Sequence, residues 1–351
     1  MNIALPDRLQ LDNVYAILES YFDRHSPTAF PWRVAKEHVE VGVAFPIYTV
    51  KDCLCGHTLK QHRAKPRANG TRPCTHCMCV TFIDTIAHAG RLDLIGQHVS
   101  DRTYCPVDHK TSYKLDQRFV NQYMQDSQLT GYMWDVEQVT GEPCRVAYIN
   151  AIELSVLPGS TRQCKDHGTQ YVECAPEHAR FQIVGPIERT DRQVAEWKAD
   201  AIVLAKRYHI LRSHTLEEIH MIRKDGTFNG SCGSCEFREW CGTDRSLRQV
   251  DAMFQISRWS PYAYAHDAAH PLGMTPNEHT LFTDNSILKG VATCSTQTFM
   301  RYALGYSNPE QAGPLFVGIA VHAALEAWFK GCTSTKALEV LRAAYDAPTG
   351  D

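Results

Sequence analysis

Two aspartates and a lysine stand at spacings that suit metal-assisted chemistry. Asp93 closes the segment TFIDTIAHAGRLD, and Asp108 and Lys110 lie in RTYCPVDHKTSY. Alternation and β-branched content predict a β-strand for each segment. Because strand side chains alternate, Asp108 and Lys110 share one face and His109 points to the other. Two carboxylates beside a lysine predict a site for Mg²⁺ or Mn²⁺, where the lysine orients or activates a water molecule.

The next segment, QLTGYMW, adds two polar side chains. Gln128 and Tyr132 are four residues apart, so on a helix they face the same way. An isolated D-x-K sequence is usually an exposed strand, because charged residues are mostly at the surface. The ordered set of these residues is much more specific than any single piece, and it predicts one site.

A group of cysteines and histidines has the spacing of a metal site. CLCGHTLKQH and CTHCMC are separated by the basic, Gly- and Pro-containing stretch RAKPRANGTRP, which has no helical or strand period. Two short Cys/His clusters suit a tetrahedral structural zinc, with free thiols in a flexible loop as the alternative. The preferred ligands are Cys55, His62, Cys74 and Cys77. The residues that could replace members of this set are Cys53, His57, His76 and Cys79.

The remaining cysteines fall into a second set and several single positions. CGSCEFREWC supplies Cys232, Cys235 and Cys241, and Cys294 stands apart downstream. Free cysteine behaves as a small hydrophobe, which predicts core or half-buried positions for the lone residues Cys105, Cys144 and Cys332. Cys164 and Cys174 flank a polar loop, and the sequence does not assign them.

Composition limits the classes of protein. The chain has 351 residues, of which 44% are hydrophobic and 21% charged, so it can bury a substantial core. Its formal net charge of −3 provides no strong overall attraction to nucleic acid or an anionic membrane. No apolar run approaches the roughly 20 residues that span a bilayer. The first residues resemble no secretory signal, so we expect a cytoplasmic protein whose clustered cysteines hold metal.

The ordered set resembles the RecB-type branch of the PD-(D/E)XK nucleases. In that branch G-[RK]-x-D precedes D-x-K-T and a helix with Q-x-x-x-Y, matched here by GRLD, DHKT and the Gln128–Tyr132 pair. The preceding family strand is matched by HVEVGVAFPI around Glu40. The resemblance implies an α/β fold with a restriction-endonuclease-like core, in which helices flank a central mixed sheet. Residues 51–80 would then be a zinc-binding loop module inserted in a hairpin.

The resemblance also gives an interpretation of the second cysteine set. Several RecB-like nucleases, including the AddB subunit and the CRISPR-associated exonucleases, bind a 4Fe–4S cluster. Their ligands are one cysteine near the start of the domain and C-x2-C-x5-C at its end, which implies Cys294 with Cys232, Cys235 and Cys241. Four thiolates suit an iron–sulfur cluster. A zinc site with the same ligands stays open, because spacing does not separate the two metals.

The family's first motifs occur at the far end of this chain. VGIAVHAALEAWFKG carries the G-x-x-x-H-x-x-L-E pattern, which implies His322 as a metal ligand. Cys294 is followed by Ser295, where the family has proline. A circular permutation explains this order: residues 283–351 supply the nuclease start, 1–241 its remainder and 242–282 a connector. Permutation is tolerated where chain ends lie close together. A truncated tandem or a rearranged gene is the alternative.

The resemblance implies a Mg²⁺- or Mn²⁺-dependent deoxyribonuclease. Asp93, Asp108, the backbone carbonyl of His109 and His322 would hold the ion, and Lys110 would position water or stabilise the transition state. Gln128 and Tyr132 would orient the site or touch the DNA backbone. The family favours exonuclease action on single-stranded ends. The alternative is an inactive DNA-binding or scaffold protein whose iron–sulfur or zinc sites serve structure or redox sensing.

The resemblance extends to partners and setting. ERTDRQVAEWKADAIVLAKRY is similar to the R-T-x-x-x-x-x-E-W helix of phage-type members. This implies viral DNA replication or recombination in the host cytoplasm, with a helicase or recombinase as partner. Near-neutral charge means that DNA would be held by a local basic groove. The basic candidates for phosphate contacts, which also resemble a solvated loop, are Lys60, Arg63, Lys65, Arg67 and Arg72.

Overall fold

The structure is a computed structural model of the chain. It describes residues 8–62, 74–76, 81–154, 168, 177, 179–266, 272–274, 277–309 and 313–346. The strands are β1 (Trp32–Thr49), β2 (Thr85–His98), β3 (Tyr104–Ser112), β4 (Val146–Glu153), β5 (Phe181–Glu188), β6 (Gln255–Ile256), β7 (Leu272–Gly273), β8 (Thr280–Thr283) and β9 (Tyr306–Ser307).

Helices occupy much of the rest of the described chain. They are α1 (Arg8–Arg24), α2 (Gln117–Met124), α3 (Ser127–Thr140), α4 (Asp191–Leu211), α5 (Gly226–Asn229), α6 (Arg238–Gly242), α7 (Leu247–Met253), α8 (Pro261–His266), α9 (Asn285–Thr293), α10 (Ser295–Thr298), α11 (Gly313–Phe329) and α12 (Ser334–Asp346). Short 3₁₀ turns cover Leu59–Gln61, Leu216–Met221 and Ser231–Ser234, and a π-helical turn covers Phe299–Leu304.

The chain forms two compact units, each assembled from separate segments. The first unit contains residues 1–41, 92–192 and 310–351, and the second contains 42–91 and 193–309. Strands β1 and β2 are long enough to contribute residues to both. The predicted division into a core over 1–241, a connector over 242–282 and a permuted segment over 283–351 stays a prediction.

A mixed sheet flanked by helices forms the first unit, which confirms the predicted α/β class. The strand order is β5-β4-β3-β2-β1. β3 runs antiparallel to β2 and parallel to β4, and β4 runs antiparallel to β5. The parallel β3–β4 pair needs a crossover connection, which α2 and α3 supply. Both strands predicted around the aspartates and the predicted helix around Gln128 are present.

The core of the first unit joins the sheet to three helices that come from opposite ends of the chain. Apolar side chains of α1, α11 and α12 pack with those of β2, β3 and β4 in one buried cluster. Aromatic rings form its centre: Trp328 of α11 lies 5.0 Å from Phe22 of α1 and 5.7 Å from Tyr21, measured between ring centroids. Aromatic pairs of this kind add to the free energy of burial. The packing fixes α11 against β3.

The second unit contains residues 42–49 of β1 and 85–91 of β2, each paired with a further strand. β7 pairs in parallel with Val43 and Ala44 of β1, and β8 pairs in parallel with residues 85–88 of β2. The segment expected to be a connector therefore supplies paired β-structure as well as helices α7 and α8. The helix predicted over ERTDRQVAEWKADAIVLAKRY is α4, which buries Val194 and Trp197. Among the described residues, no helix combines the length and the apolarity that crossing a bilayer requires.

The lone cysteines differ in burial. Cys105 and Cys144 are fully buried, as predicted. Cys332 is exposed, so its predicted core or half-buried position is wrong. The reason is local: Cys332 follows Gly331, whose φ of 95° ends α11, and it lies in the turn before α12. Cys164 and Cys174 lie outside the described residues.

One close contact in the first unit gives a stability prediction. A Cβ atom at Gly96 of β2 would lie 2.9 Å from Cγ of the fully buried Trp32, so Gly96→Ala requires the indole to move. We expect the free energy of unfolding to fall by about 1–3 kcal/mol, measured by urea denaturation. Gly90→Ala on the same strand is the control, because its Cβ would meet nothing within 4 Å. Equal losses in both variants would contradict the steric explanation.

Candidate active site

An ion pair forms the centre of the candidate site. On β3, Nζ of Lys110 lies 2.5 Å from Oδ2 of Asp108, and the Asp108 side chain is 3% exposed. Burial raises the pKa of Asp108 to about 6, although the charge of Lys110 opposes the shift. Burial would lower the pKa of Lys110, but Asp108 and Asp93 outweigh it and raise that pKa. Lys110 therefore stays positively charged, and its partner is an ionised carboxylate at neutral pH.

Asp93 joins this pair through the backbone of the neighbouring strand. Its Oδ2 accepts a hydrogen bond of 2.6 Å from the backbone N–H of His109. Burial would raise the pKa of Asp93, but His322, His109 and Lys110 outweigh it and hold the pKa below its usual range. Because this hydrogen bond joins β2 to the neighbouring strand β3, Asp93 and Asp108 lie in one site, as predicted.

Helix α11 brings His322 to the same place from near the end of the chain. Nδ1 of His322 lies 3.6 Å from Oδ2 of Asp93. One turn earlier, a methyl group at Gly318 would lie 3.7 Å from Oγ1 of Thr111, so the helix passes close to β3. In the G-x-x-x-H pattern, Gly318 thus lies where the helix passes close to Thr111, and His322 lies beside the carboxylate of Asp93.

Glu40 is a member of the site that the sequence reasoning missed. A carboxylate oxygen of Glu40, one of Asp93 and a ring nitrogen of His322 all lie within 4.8 Å of one another. The sequence did contain a signal, since Glu40 is an acid between the two buried valines Val39 and Val41. The segment HVEVGVAFPI around Glu40 was interpreted only as a match to the family strand that precedes GRLD.

Helices α2 and α3 supply further polar groups. Nε2 of Gln128 donates a hydrogen bond of 2.7 Å to the hydroxyl of Tyr132, so these residues share a face of α3 as predicted. Tyr123 of α2 was not predicted. Its pKa is raised by burial and by the carboxylate of Asp108, while Lys110 opposes the shift.

The side chain of His109 packs against helix α11, where its ring centroid lies 5.9 Å from that of His322. Nδ1 of His109 lies 3.0 Å from Nδ2 of Asn150, which donates to the hydroxyl of Tyr21 over 2.7 Å. The imidazole stacks on Phe329 with ring centroids 5.5 Å apart. Burial lowers the pKa of His109 to about 3, so the ring is neutral. These contacts anchor the strand that carries Asp108 and Lys110.

The four cysteines assigned to the second set lie together in the second unit. A methyl group at Gly226 would lie 3.1 Å from Sγ of Cys232 and 3.6 Å from Sγ of Cys294. Burial, followed by the nearby thiols of Cys294 and Cys232, raises the pKa of Cys235. Burial and the neighbouring thiol of Cys235 raise the pKa of Cys241 to about 11. Cys294 thus approaches the other three across some fifty residues of chain.

The Cys/His module of the second unit brings three of its four predicted ligands together. Sγ of Cys55 lies 3.5 Å from Nε2 of His62, and Cys74 pairs with His62 in an isolated β-bridge. Cys55 belongs to two groups of three residues whose ligand atoms all lie within 4.8 Å of one another. One group also contains Cys53 and His62, and the other also contains His57 and Cys74. The fourth predicted ligand, Cys77, and the basic residues Arg63, Lys65, Arg67 and Arg72 lie outside the described residues.

The comparison with protein families identifies the class of protein. The family model described as the PD-(D/E)XK nuclease superfamily matches residues 11–242. This match covers most of the chain, which therefore belongs to the PD-(D/E)XK nuclease superfamily. Membership implies a nuclease, that is, a phosphodiesterase that uses divalent metal ions on DNA. No curated protein and no solved structure matches the chain. The matched range contains Asp93, Asp108 and Lys110, whereas His322 and Cys294 lie beyond it.

The buried Asp108 gives a pH-dependent prediction for the metal-free protein. Its pKa of about 6 in the folded state exceeds the value of about 3.9 for an unfolded chain. The folded state therefore binds this proton more tightly, and the associated stability is lost as pH rises through about 6. From pH 4 to 7 we expect wild type to lose on the order of 3 kcal/mol relative to Asp108→Asn.

Urea denaturation in EDTA at several pH values measures this difference. Asp116→Asn is the control, because the backbone N–H of Phe119 lowers the pKa of Asp116. A folded-state pKa below the unfolded value contributes stability that is lost as pH falls. From pH 4 to 7, wild type should therefore gain stability relative to Asp116→Asn. A wild type that gains stability over Asp108→Asn as pH rises would contradict the burial of an ionised Asp108.

Proposed function

We propose that the protein is a metal-dependent deoxyribonuclease of RecB-like type that degrades single-stranded DNA from its ends. The observation that carries this proposal is the convergence of Asp93, Asp108 and Lys110 with His322 in one unit. Superfamily membership supports hydrolysis of phosphodiesters. Exonuclease action rests on the resemblance of the ordered motifs to the RecB branch.

The donor atoms fit a divalent cation. Asp93, Asp108, the backbone carbonyl of His109 and His322 would hold Mg²⁺ or Mn²⁺. Carboxylate and carbonyl oxygens suit both ions, and the imidazole favours the transition metal. The proximity of His322 to Asp93 supports this set, as does the ionised state of both aspartates near neutral pH. A bound cation lowers the pKa of a coordinated water and neutralises charge on the scissile phosphate.

The remaining residues have separate roles in this mechanism. Lys110 keeps its proton and presents a fixed positive charge beside Asp108, where it stabilises charge that develops on the phosphate and orients the attacking water. Gln128 and Tyr132, bonded to each other, orient the site or touch the DNA backbone. The neutral His109 is anchored in the core, so it fixes the position of its own carbonyl.

The order of motifs is explained by a circular permutation. Residues 283–351 would supply the start of the nuclease core, including Cys294 and His322, and residues 242–282 would be the new connector. Two observations support this arrangement: α11 packs in the unit that holds Asp93, and Cys294 lies beside the terminal cysteines of the matched range. A truncated tandem, in which a second nuclease domain starts near Asn285, or a rearranged gene is the alternative.

The set Cys232, Cys235, Cys241 and Cys294 would bind a 4Fe–4S cluster. Support comes from the position of Cys232 and Cys294 beside Gly226 and from the effect of the Cys235 thiol on the pKa of Cys241. Four thiolates suit an iron–sulfur cluster, and a zinc site with the same ligands is the alternative.

The Cys/His module would bind a structural zinc ion through Cys55, His62, Cys74 and Cys77. Support comes from the contact between Cys55 and His62 and from the small size of the local core, in which Cys53, Cys74 and Phe82 are buried together with Cys55 beside them. A module with so few apolar side chains needs another source of folding energy, and a metal supplies it.

The biological setting follows from the same resemblance. A nuclease that removes single strands from DNA ends works with a helicase or a recombinase, and the phage-type helix α4 supports a role in viral replication or recombination in the host cytoplasm. The alternative is an inactive DNA-binding or scaffold protein whose metal sites serve structure or redox sensing. An activity assay separates the two.

Purified protein is expected to degrade labelled linear single-stranded DNA in the presence of Mn²⁺ and to leave circular single strands intact. Asp108→Ala and Lys110→Ala should each lower the rate by at least about 10²-fold, because the first removes a ligand of the cation and the second removes the positive charge that stabilises the reacting phosphate. Lys114→Ala is the matched control, since that lysine follows the same strand and is 65% exposed. Equal rates in wild type and both site variants would favour the inactive alternative.

Metal analysis of anaerobically purified protein tests both cysteine sites in one experiment. We expect about four iron atoms per chain with broad visible absorption, and about one zinc ion. Cys241→Ser should lose iron and keep zinc, Cys55→Ser should do the reverse, and exposed Cys332→Ser should change neither. Stoichiometric zinc at both sites without iron would refute the cluster assignment.

A further inference from the structure

Glu40 has an unusual backbone conformation for its place in a strand. Its φ angle is 55°, in the left-handed region that side chains other than glycine rarely adopt, although β1 continues on both sides. Its neighbours Val39 and Val41 are both buried. A strained residue persists only where the surrounding structure fixes it, and such residues cluster at functional sites.

The side chain of Glu40 is half-buried and converges with two other potential ligands. A carboxylate oxygen of Glu40 lies within 4.8 Å of ligand atoms of both Asp93 and His322.

The charges at this point favour a cation. Two carboxylates close together in a partly buried place raise each other's energy unless a positive charge lies between them. The positive charge of Lys110 is paired with Asp108 at 2.5 Å. A divalent ion beside Asp93 would balance both carboxylates.

We propose that Glu40 is a further ligand of the divalent cation, alongside Asp93 and His322. This assignment rests on the proposed nuclease function and deepens it, because it places three protein donors from β1, β2 and α11 around one ion. Two carboxylate oxygens and one imidazole nitrogen suit Mn²⁺ better than Mg²⁺. The strained backbone of Glu40 is then the cost of aiming its carboxylate at the ion.

Calorimetric titration of the full-length protein, purified with its other metals, with MnCl₂ tests the assignment without DNA. We expect Glu40→Gln to bind Mn²⁺ at least about 10-fold more weakly than wild type. Glu37→Gln is the matched control, because Glu37 is exposed on the same strand, and its affinity should equal that of wild type. Asp93→Asn shows how far the Mn²⁺ affinity falls when another ligand of the proposed set is removed.

A second variant separates a ligand from a merely structural residue. Glu40→Gly relieves the left-handed strain, so in EDTA its melting temperature should rise by about 2 °C. Its Mn²⁺ affinity should nevertheless fall as far as that of Glu40→Gln. A structural role would instead lower the melting temperature of both variants and leave the affinity unchanged.

The outcomes distinguish this proposal from the proposed function. If wild type binds Mn²⁺ and degrades DNA while Glu40→Gln binds Mn²⁺ equally well, the Glu40 assignment is wrong and the nuclease stands. If wild type neither binds Mn²⁺ nor degrades DNA, both are wrong. Weak binding by Glu40→Gln with a normal melting temperature supports the ligand role.

Discussion

Two ionised carboxylates lie side by side inside a sheet, and much of the first unit is arranged around them. Asp93 and Asp108 are each nearly removed from water, where a charge is costly unless it is paired. The backbone N–H of His109 compensates one carboxylate and Lys110 the other. Both compensating groups come from β3, so the spacing of three consecutive residues sets the geometry of the site.

That dependence explains why β3 is so firmly anchored. A shift of one residue would turn Asp108 and Lys110 into the apolar core and expose His109 to the site. The neutral imidazole of His109, held by Asn150 and stacked on Phe329, fills a place that neither charged neighbour could occupy. The packing of His109 against α11 thus fixes the register in which Asp108 and Lys110 lie beside Asp93.

Local patterns were sufficient for the parts of the site that lie close together in sequence. Alternation predicted the strands and the shared face of Asp108 and Lys110, and the four-residue spacing predicted the Gln128–Tyr132 pair. Proximity of His322 followed only from the family resemblance, because periodicity carries no information about distant segments. Glu40 and Tyr123 were missed for related reasons: one depends on a left-handed φ and the other on the packing of α2. An acid between two valines is visible in the sequence, but the backbone conformation of Glu40 and the packing of α2 are not.

Each unit closes long stretches of chain, and closing a loop costs more entropy as the loop grows, although only slowly. The first unit repays that cost with an aromatic core, in which Trp328 packs on Phe22 from the opposite end of the chain. In the second unit, the buried cluster around Cys53 consists of Cys53, Cys74 and Phe82, with Cys55 beside them. So small a cluster buries little apolar surface, which contributes little to holding these segments together. The cysteines at 232–241 differ, because Phe237 and Trp240 between them are fully buried. Hydrophobic burial therefore explains the packing of the second cysteine set better than that of the first.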